Sequence, residues 1–193
     1  TGRLRSPLHS KKQNKMAYTS CALTTGFDLD CRDAIGGVKS VRLASLEDYT
    51  AMAATVAAGA ITGFNTAALE FFKYDQLKET SSLTETINGS SQNGTVFFTP
   101  EVVVVLSKLD VAKRNQIKVL AQQRLVAIVE GNDSSYWVVG YANGLELNAG
   151  TSATGTAFAD LSGYSLTLSG LEADTMLSIG QTEVDLVTSL VQA

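Results

Sequence analysis

The sequence predicts a mainly β fold of the α+β class, a β-sandwich or barrel-like sheet with one packed helix and a long β-hairpin arm. Residues 95–106 are rich in β-branched side chains, which favour strands. Asn-Gly pairs and other turn residues separate this run from its neighbours, as in hairpins. One segment, at about 110–125, has the apolar spacing of an amphipathic helix.

The first strands are predicted in the N-terminal third of the chain. Apolar and polar side chains alternate over Val38–Leu46, which is the two-residue period of a half-buried strand. Glu47-Asp48-Tyr49 interrupts this run. Residues 50–63 are small and include several β-branched side chains, so we expect a strand or a loop there. Residues 17–37 indicate irregular chain or a short strand.

A long β-hairpin is predicted next, with arms near 69–87 and 95–106. The segment between the arms contains two Asn-Gly pairs, at residues 88–89 and 93–94. Glycine in such a pair adopts the positive φ that tight turns need. Pro100 has no backbone N–H to donate, so we expect its nitrogen to face a sheet edge or a bulge.

An amphipathic helix is predicted directly after the hairpin. Asp110 precedes it at the position of an N-terminal cap. The apolar residues at helical spacing are Ile117, Leu120, Ala121 and Leu125. We expect this stripe to lie on the sheet, because a helix in a globular protein buries its apolar face.

The C-terminal part is predicted to form further strands. Gly131-Asn132-Asp133 indicates a hairpin turn between two apolar strands, and Asn143-Gly144 indicates a second turn. Ala149–Gly155 consists of small residues and is predicted to be a loop. Gly163–Gly170 alternates as a strand does, and residues 183–191 are predicted to form a short helix or a last strand.

Charge separates a basic N-terminal extension from an acidic body. Residues 1–15 contain five Lys and Arg residues and no acid. Without these five, 10 bases and 19 acids remain, so residues 16–193 carry a net charge of −9. We therefore expect residues 1–15 to lie outside the core and residues 16–193 to form a single β-rich domain. An acidic body does not bind nucleic acid through its phosphates.

Two cysteines, Cys21 and Cys31, leave two alternatives open. Their spacing has no metal-site signature. They are either reduced, partly buried thiols or a disulfide that closes a short loop, and the disulfide requires an oxidising environment.

The residues that catalysis requires are missing from the predicted core. A serine or cysteine nucleophile needs a base, usually histidine, and the single histidine is His9 in the basic extension. Phosphate-binding glycine motifs are absent. Asp28, Asp30 and Asp33 suit either a cation or a solvated acidic loop. The sequence therefore predicts a protein that is not an enzyme, binds no cofactor or metal, and does not span a membrane.

The predicted layout resembles the tail tube proteins of tailed bacteriophages. The likeness covers roughly residues 70–170, from Asn93–Phe98 through the helix Lys113–Leu120 to Leu171-Glu172. The segment Cys21–Phe27 also looks like virion proteins of phages that infect Bacteroidota.

This resemblance implies a structural role in a virion, with assembly in the host cytoplasm. Tail tube subunits form hexameric rings whose sheets join into a β-barrel, and a hairpin arm reaches the adjacent ring. An acidic lumen then lets DNA pass as non-specific cargo. The implied partners are copies of the same chain and other tail or neck proteins. The implied inter-subunit arm residues are Lys78, Glu79, Leu83, Glu85, Ile87, Asn88, Gly89, Asn93 and Gly94.

Two alternatives are compatible with the same sequence. The first is another virion structural protein: a head–tail connector, a tail terminator or a capsid decoration protein. The second is a β-sandwich adhesin or carbohydrate-binding module, with Tyr136, Trp137 and Tyr141 as the binding platform.

Overall fold

The computed structural model describes residues 26–28, 34–64 and 71–188. The chain divides into two units, residues 1–33 and residues 34–193, and residues 26–28 of the first unit have no regular secondary structure. The second unit contains, in chain order, β1 (Val38–Ser45), α1 (Leu46–Ala51), β2 (Ala54–Ala57), β3 (Ala60–Phe64), β4 (Phe72–Asp75), β5 (Ser82–Ser90), β6 (Thr95–Ser107), α2 (Val111–Leu120), β7 (Leu125–Gly131), β8 (Tyr136–Val139), β9 (Glu146–Ala153), β10 (Gly163–Ser169), β11 (Leu177–Ile179) and α3 (Gln181–Thr188).

The strands form two sheets. The larger has seven strands in the order β2-β3-β11-β8-β7-β1-β4, and the smaller has four in the order β5-β6-β10-β9. Neighbouring strands are antiparallel except for β11 and β3, which run parallel. The mainly β, α+β fold predicted from the sequence is confirmed.

The two sheets pack face to face through one apolar core. Alternate residues of β1 and β7 point toward alternate residues of β6 and β10, as the pleat of a strand requires. Burial of each such side chain contributes about 1.5–3 kcal/mol. The buried residues that carry this packing are Val41, Leu43, Leu125, Ala127, Val129, Val139, Val102, Val104 and Leu168.

The opposite face of the seven-stranded sheet is also covered. Val126, Ile128 and Val138 belong to a second buried cluster that includes Tyr49 of α1 and Val184 of α3. Strand β7 is consequently buried over its whole length except its last residue. The seven-stranded sheet is therefore a central layer, whereas the four-stranded sheet packs with one face only.

The beginning of the body differs in part from the prediction. The strand predicted over Val38–Leu46 ends at Ser45, and α1 follows where an interruption was expected. The hydroxyl oxygen of Ser45 accepts the N–H of Asp48 at 3.1 Å, so Ser45 caps this helix. Within residues 50–63, the strand alternative is confirmed by β2 and β3.

The hairpin is confirmed, but its predicted first arm at 69–87 was wrong. Phe72–Asp75 is a separate strand that pairs with β1 in the other sheet, and the hairpin begins at Ser82. Asn88-Gly89 lies within β5, and the turn consists of residues 91–94, where Gly94 has a φ of +64°. The turn lies within the predicted segment 88–94 but is shorter, because an Asn-Gly pair alone does not show which of the two pairs turns until the strand register is known.

The predicted helix was too long. It ends at Leu120 rather than at residue 125, because Leu125 pairs with Leu145 and begins β7. Of the predicted apolar stripe on the helix, Leu120 is buried, Ile117 is half-buried and Ala121 is exposed. Asp110 occupies the cap position without a side-chain cap hydrogen bond. The helix covers the sheet less than expected.

The C-terminal predictions hold in part. The turn at residues 131–133 joins β7 to β8, and residues 163–169 form β10 as predicted. The tail is a helix, α3, through Thr188. The loop predicted over Ala149–Gly155 was wrong, because β9 continues to Ala153 as the partner of β10. These small residues have a low propensity for strands, but their pairing with β10 places them in one.

Leu168 and Leu171 provide a matched test of the sheet packing. Leu168 is 1% exposed between the sheets and Leu171 is 61% exposed. Leu168→Ala is expected to lower the free energy of unfolding by about 2–5 kcal/mol, because it leaves a cavity. Leu171→Ala is expected to change it by less than about 0.5 kcal/mol. Equilibrium denaturation in urea measures both values, and equal losses would contradict this packing.

Candidate functional site

The hairpin extends beyond the body of the sandwich. Strand β10 pairs with β6 from Glu101 to Ser107 only. Before Glu101, β6 pairs continuously with β5 on one side. On its other side, β6 forms only one isolated bridge among the described residues, between Phe98 and Glu172. We call residues Thr86–Ser90 and Thr95–Thr99 the hairpin extension. At about 3.4 Å per residue, its five-residue strands are roughly 17 Å long.

One face of the hairpin extension is apolar and exposed. Ile87 pairs with Phe98, and Gly89 pairs with Val96, so these side chains share a face. It is the face that carries Val102 into the core farther along β6. Ile87 is 70% exposed and Val96 is 62% exposed. The extension therefore continues the core face of the sheet beyond the residues that cover it.

The base of the hairpin is tied to the body by a carboxylate. Glu85 accepts the N–H of Met176 at 2.9 Å and the hydroxyl of Thr175 at 2.6 Å. Two residues earlier, Leu83 packs against the core between the sheets. These contacts fix the base of the hairpin and leave the extension beyond them.

Glu172 forms a second link beside the extension. It is 3% exposed, and its carboxylate accepts the N–H of Asn143 at 3.1 Å, while its backbone bonds to Phe98 in both directions. Burial raises the pKa of Glu172, and the N–H groups of residues 142–144 oppose that effect. Because folding raises this pKa, the contribution of Glu172 to stability falls as the pH rises above the ordinary pKa of a glutamate.

The remaining predicted arm residues occupy different positions. Lys78 and Glu79 are exposed in a turn before β5. Asn88 lies in the extension, where its side-chain amide donates to Thr99 Oγ1 at 2.9 Å. Asn93 and Gly94 lie at the hairpin tip. Of the nine predicted residues, Ile87, Asn88 and Gly89 belong to the extension itself.

Sequence reasoning missed the apolar partners on β6. Val96 and Phe98 complete the face of Ile87, but neither was among the predicted arm residues. The signal was the hairpin register: counting outward from the 91–94 turn places residues 96 and 98 opposite 89 and 87.

The four-stranded sheet has two edge strands and one open face. Strands β5 and β9 lie at its edges, and each has a row of backbone groups without a strand neighbour among the described residues. The open face alternates with the core face and is rich in hydroxyl groups. Its exposed charges are Glu101 and Glu146, and the four strands contain no Lys, Arg or His.

A buried ionic cluster lies in the central sheet, away from the hairpin. Glu130 Oε2 accepts from the Ser40 hydroxyl at 2.7 Å and from Arg42 Nη1 at 3.1 Å, and Oε1 accepts from Lys39 Nζ at 2.6 Å. Arg42 also lies over the ring of Tyr136, with 5.5 Å between its Cζ and the ring centroid. Burial alone would raise the pKa of Glu130, but these three donors lower it to about 2.

The other predicted candidate sites are dispersed or lie outside the described residues. Tyr136 is buried beneath Arg42, and Trp137 points to the opposite face of β8, where its indole donates to Ser135. The two rings therefore form no common platform with Tyr141. Asp28 is exposed. Cys21, Cys31, Asp30, Asp33 and the extension 1–15 lie outside the described residues.

Metal ligands do not converge in the part of the chain that the structure describes. Within residues 26–28, 34–64 and 71–188, no three His, Cys, Asp or Glu side chains are grouped so as to hold an ion. No described helix has the length and hydropathy needed to cross a bilayer.

Comparison with known proteins identified no relative of this chain. No protein-family model, no curated protein and no solved structure matches this chain.

The acid response of the protein tests the Glu130 cluster. The pKa of Glu130 is about 2 in the folded chain against an ordinary value of 4.5, so its contribution is complete above pH 4.5 and is lost as the pH falls toward 2. This shift corresponds to about 3 kcal/mol at neutral pH. Glu130→Gln is expected to lower the free energy of unfolding at pH 7 by about 3 kcal/mol and to flatten its pH dependence between 4.5 and 2.

Lys39→Ala is the control for this measurement. The Lys39 side chain is 61% exposed and its charge is screened by water, so its loss is expected to change stability much less than the loss of Glu130. Urea unfolding at several pH values reports both variants. A Glu130→Gln protein as stable as the wild type at pH 7 would show that the cluster is not needed.

Proposed function

We propose that this chain is a structural subunit of a phage tail tube, which assembles with copies of itself into stacked rings. The hairpin extension is the observation that carries the proposal. It places Ile87 and Val96 in solvent on a strand pair that has no packing layer among the described residues. A partner that covers this face removes that apolar area from water, at about 25 cal/mol per Å².

The edges of the four-stranded sheet support lateral contacts within a ring. Strands β5 and β9 occupy its two ends, so one subunit offers a different edge on each side. Pairing of β9 with β5 of the next subunit would satisfy both rows of backbone groups, and repetition around an axis would close a barrel. Such head-to-tail contacts are heterologous and form rings when the rotation closes.

The open face of the same sheet suits the passage of DNA. If the sheets join into a barrel, one face of each lines the interior. The open face presents hydroxyl groups together with Glu101 and Glu146, and none of its strands carries a base. DNA phosphates would have no cationic side chain to bind on the strands of this face, and the carboxylates of Glu101 and Glu146 would repel them.

Removal of the apolar contacts of the extension tests this proposal. The double variant Ile87→Ser, Val96→Ser is expected to fold, because both side chains are exposed in the isolated chain. It should lose stacking, because the burial that drives association is removed. Negative-stain electron microscopy of the purified full chain distinguishes long tubes, single rings and monomers.

Phe158→Ser is the matched control, because Phe158 is fully exposed and lies in a loop away from the hairpin. Tubes are expected from the wild type and from this control. Single rings from the wild type would instead favour a connector, terminator or decoration role. A wild-type protein that remains monomeric at every concentration, or a double variant that forms normal tubes, would contradict the proposal.

A further inference from the structure

Basic charge is concentrated around α2. Between residues 108 and 124 there are five bases and one acid, Asp110, although the body as a whole carries −9. Half of the ten bases that follow residue 15 therefore lie in this short segment. The bases are Lys108, Lys113, Arg114, Lys118 and Arg124.

The outward side of α2 carries this charge around an exposed valine. Val111, Arg114 and Lys118 are exposed and lie at i, i+3 and i+7, so they share one face. The buried Leu120 lies on the opposite face, and the half-buried Ile117 lies between the two faces. Val111 is 69% exposed. The outward face of α2 thus carries the bases Arg114 and Lys118, with the apolar Val111 at its N-terminal end.

Among the described residues, none of these bases forms an ion pair with an acid. The ion pairs among the described residues join Lys39 and Arg42 to Glu130, and Lys73 to Asp75. The Lys113 amine donates to the backbone carbonyl groups of residues 107 and 108, which leaves its charge uncompensated. The positive field of α2 is therefore available to a partner.

The chain beyond α2 has the opposite charge. Residues 125–193 contain eight acids and no Lys, Arg or His. Asp174 and Asp185 are exposed, and Glu183 is half-exposed in the first turn of α3. Val56, at 48% exposure, lies on β2, next to the strand β3 against which α3 packs. The α3 end therefore combines acids with an exposed valine, as the α2 face combines bases with one.

The two charged regions lie at opposite ends of the seven-stranded sheet. Gln116 of α2 donates to the Tyr74 hydroxyl at 3.4 Å, and Tyr74 belongs to the edge strand β4. Helix α3 packs on β3, which is five strand positions away from β4. At about 4.8 Å per position, the separation is roughly 24 Å. Opposite charges at opposite ends favour a head-to-tail arrangement of identical subunits.

We propose that the outward face of α2 docks on the α3 end of a second copy of this chain. This inference rests on the proposed self-assembly and identifies a contact distinct from the hairpin extension. The positive charges of Arg114 and Lys118 face the acidic α3 end of the partner subunit, where Glu183 and Asp185 flank the buried Val184, and Val111 contributes apolar burial. Complementary charge aligns the subunits and accelerates their encounter.

A second copy fits these observations better than nucleic acid does. Binding through phosphates requires several bases and weakens when acids surround them. Outside residues 108–124, the body has 18 acids and five bases, and this excess of negative charge would repel a polyanion that extends past α2. A neighbouring subunit instead presents a small, local cluster of acidic side chains to α2.

Charge reversal with compensation tests this contact. Arg114→Glu with Lys118→Glu is expected to raise the concentration at which half of the chains associate by about tenfold, because attraction between the two faces becomes repulsion. Glu183→Lys with Asp185→Lys should have the same effect. The variant with all four changes should regain wild-type association, because the two faces again carry opposite charges. Sedimentation velocity over a concentration series measures all four proteins.

Glu47→Lys is the control, because it reverses an exposed charge on α1, outside α2, α3 and the hairpin. Circular dichroism of each variant checks that it is folded. Failure of the fourfold variant to regain association would overturn the α2–α3 contact, as would normal association of the Arg114→Glu, Lys118→Glu protein. In both cases hairpin-dependent tubes would leave the proposed function intact. A wild-type chain that never self-associates would overturn both proposals.

Binding of the wild type to duplex DNA or to phosphatidylserine vesicles forms the second arm of the test. No binding by either probe is expected at 150 mM salt. Binding that disappears in Arg114→Glu, Lys118→Glu would overturn the inference and assign the α2 face to a polyanion or a membrane surface instead.

Discussion

The packing between the two sheets is the interaction on which the other features of this protein depend. The seven-stranded sheet is covered on one side by the four-stranded sheet and on the other by α1 and α3. Among the described residues, the four-stranded sheet has no such second cover, so most of one face, both of its edges and the end of its hairpin are exposed. A subunit built in this way has a stable body and an incomplete outer layer.

The incomplete layer and the charge distribution point to the same kind of partner. Ile87 and Val96 are exposed on the hairpin, which is unfavourable in water unless another surface covers them. The bases around α2 and the acids Glu183 and Asp185 of α3 lie at opposite ends of the seven-stranded sheet. In the assembly that we propose, an identical neighbour supplies apolar burial, open strand edges and opposite charge.

Local patterns predicted much of this fold, whereas long-range pairing decided what they missed. The hairpin turn near residues 93–94, the turn at 131–133 and strand β10 follow from residue types within a few positions. The end of α2 and the extent of β9 depend on strand partners elsewhere in the chain. The Glu130 cluster joins residues about 90 positions apart, so no local pattern could indicate it. The apolar face of the hairpin was recognisable only in part, because its second strand requires the register.

Hydrogen–deuterium exchange at the hairpin extension tests the central claim most directly. Backbone amides of residues 86–90 and 95–99 are measured in the full chain over a wide range of protein concentration, with β7 as the protected reference. Slow exchange in the extension only at concentrations where the chain associates is the predicted result, because a second copy then covers it. Equal protection of the extension in a lone monomer and at high concentration would contradict the account.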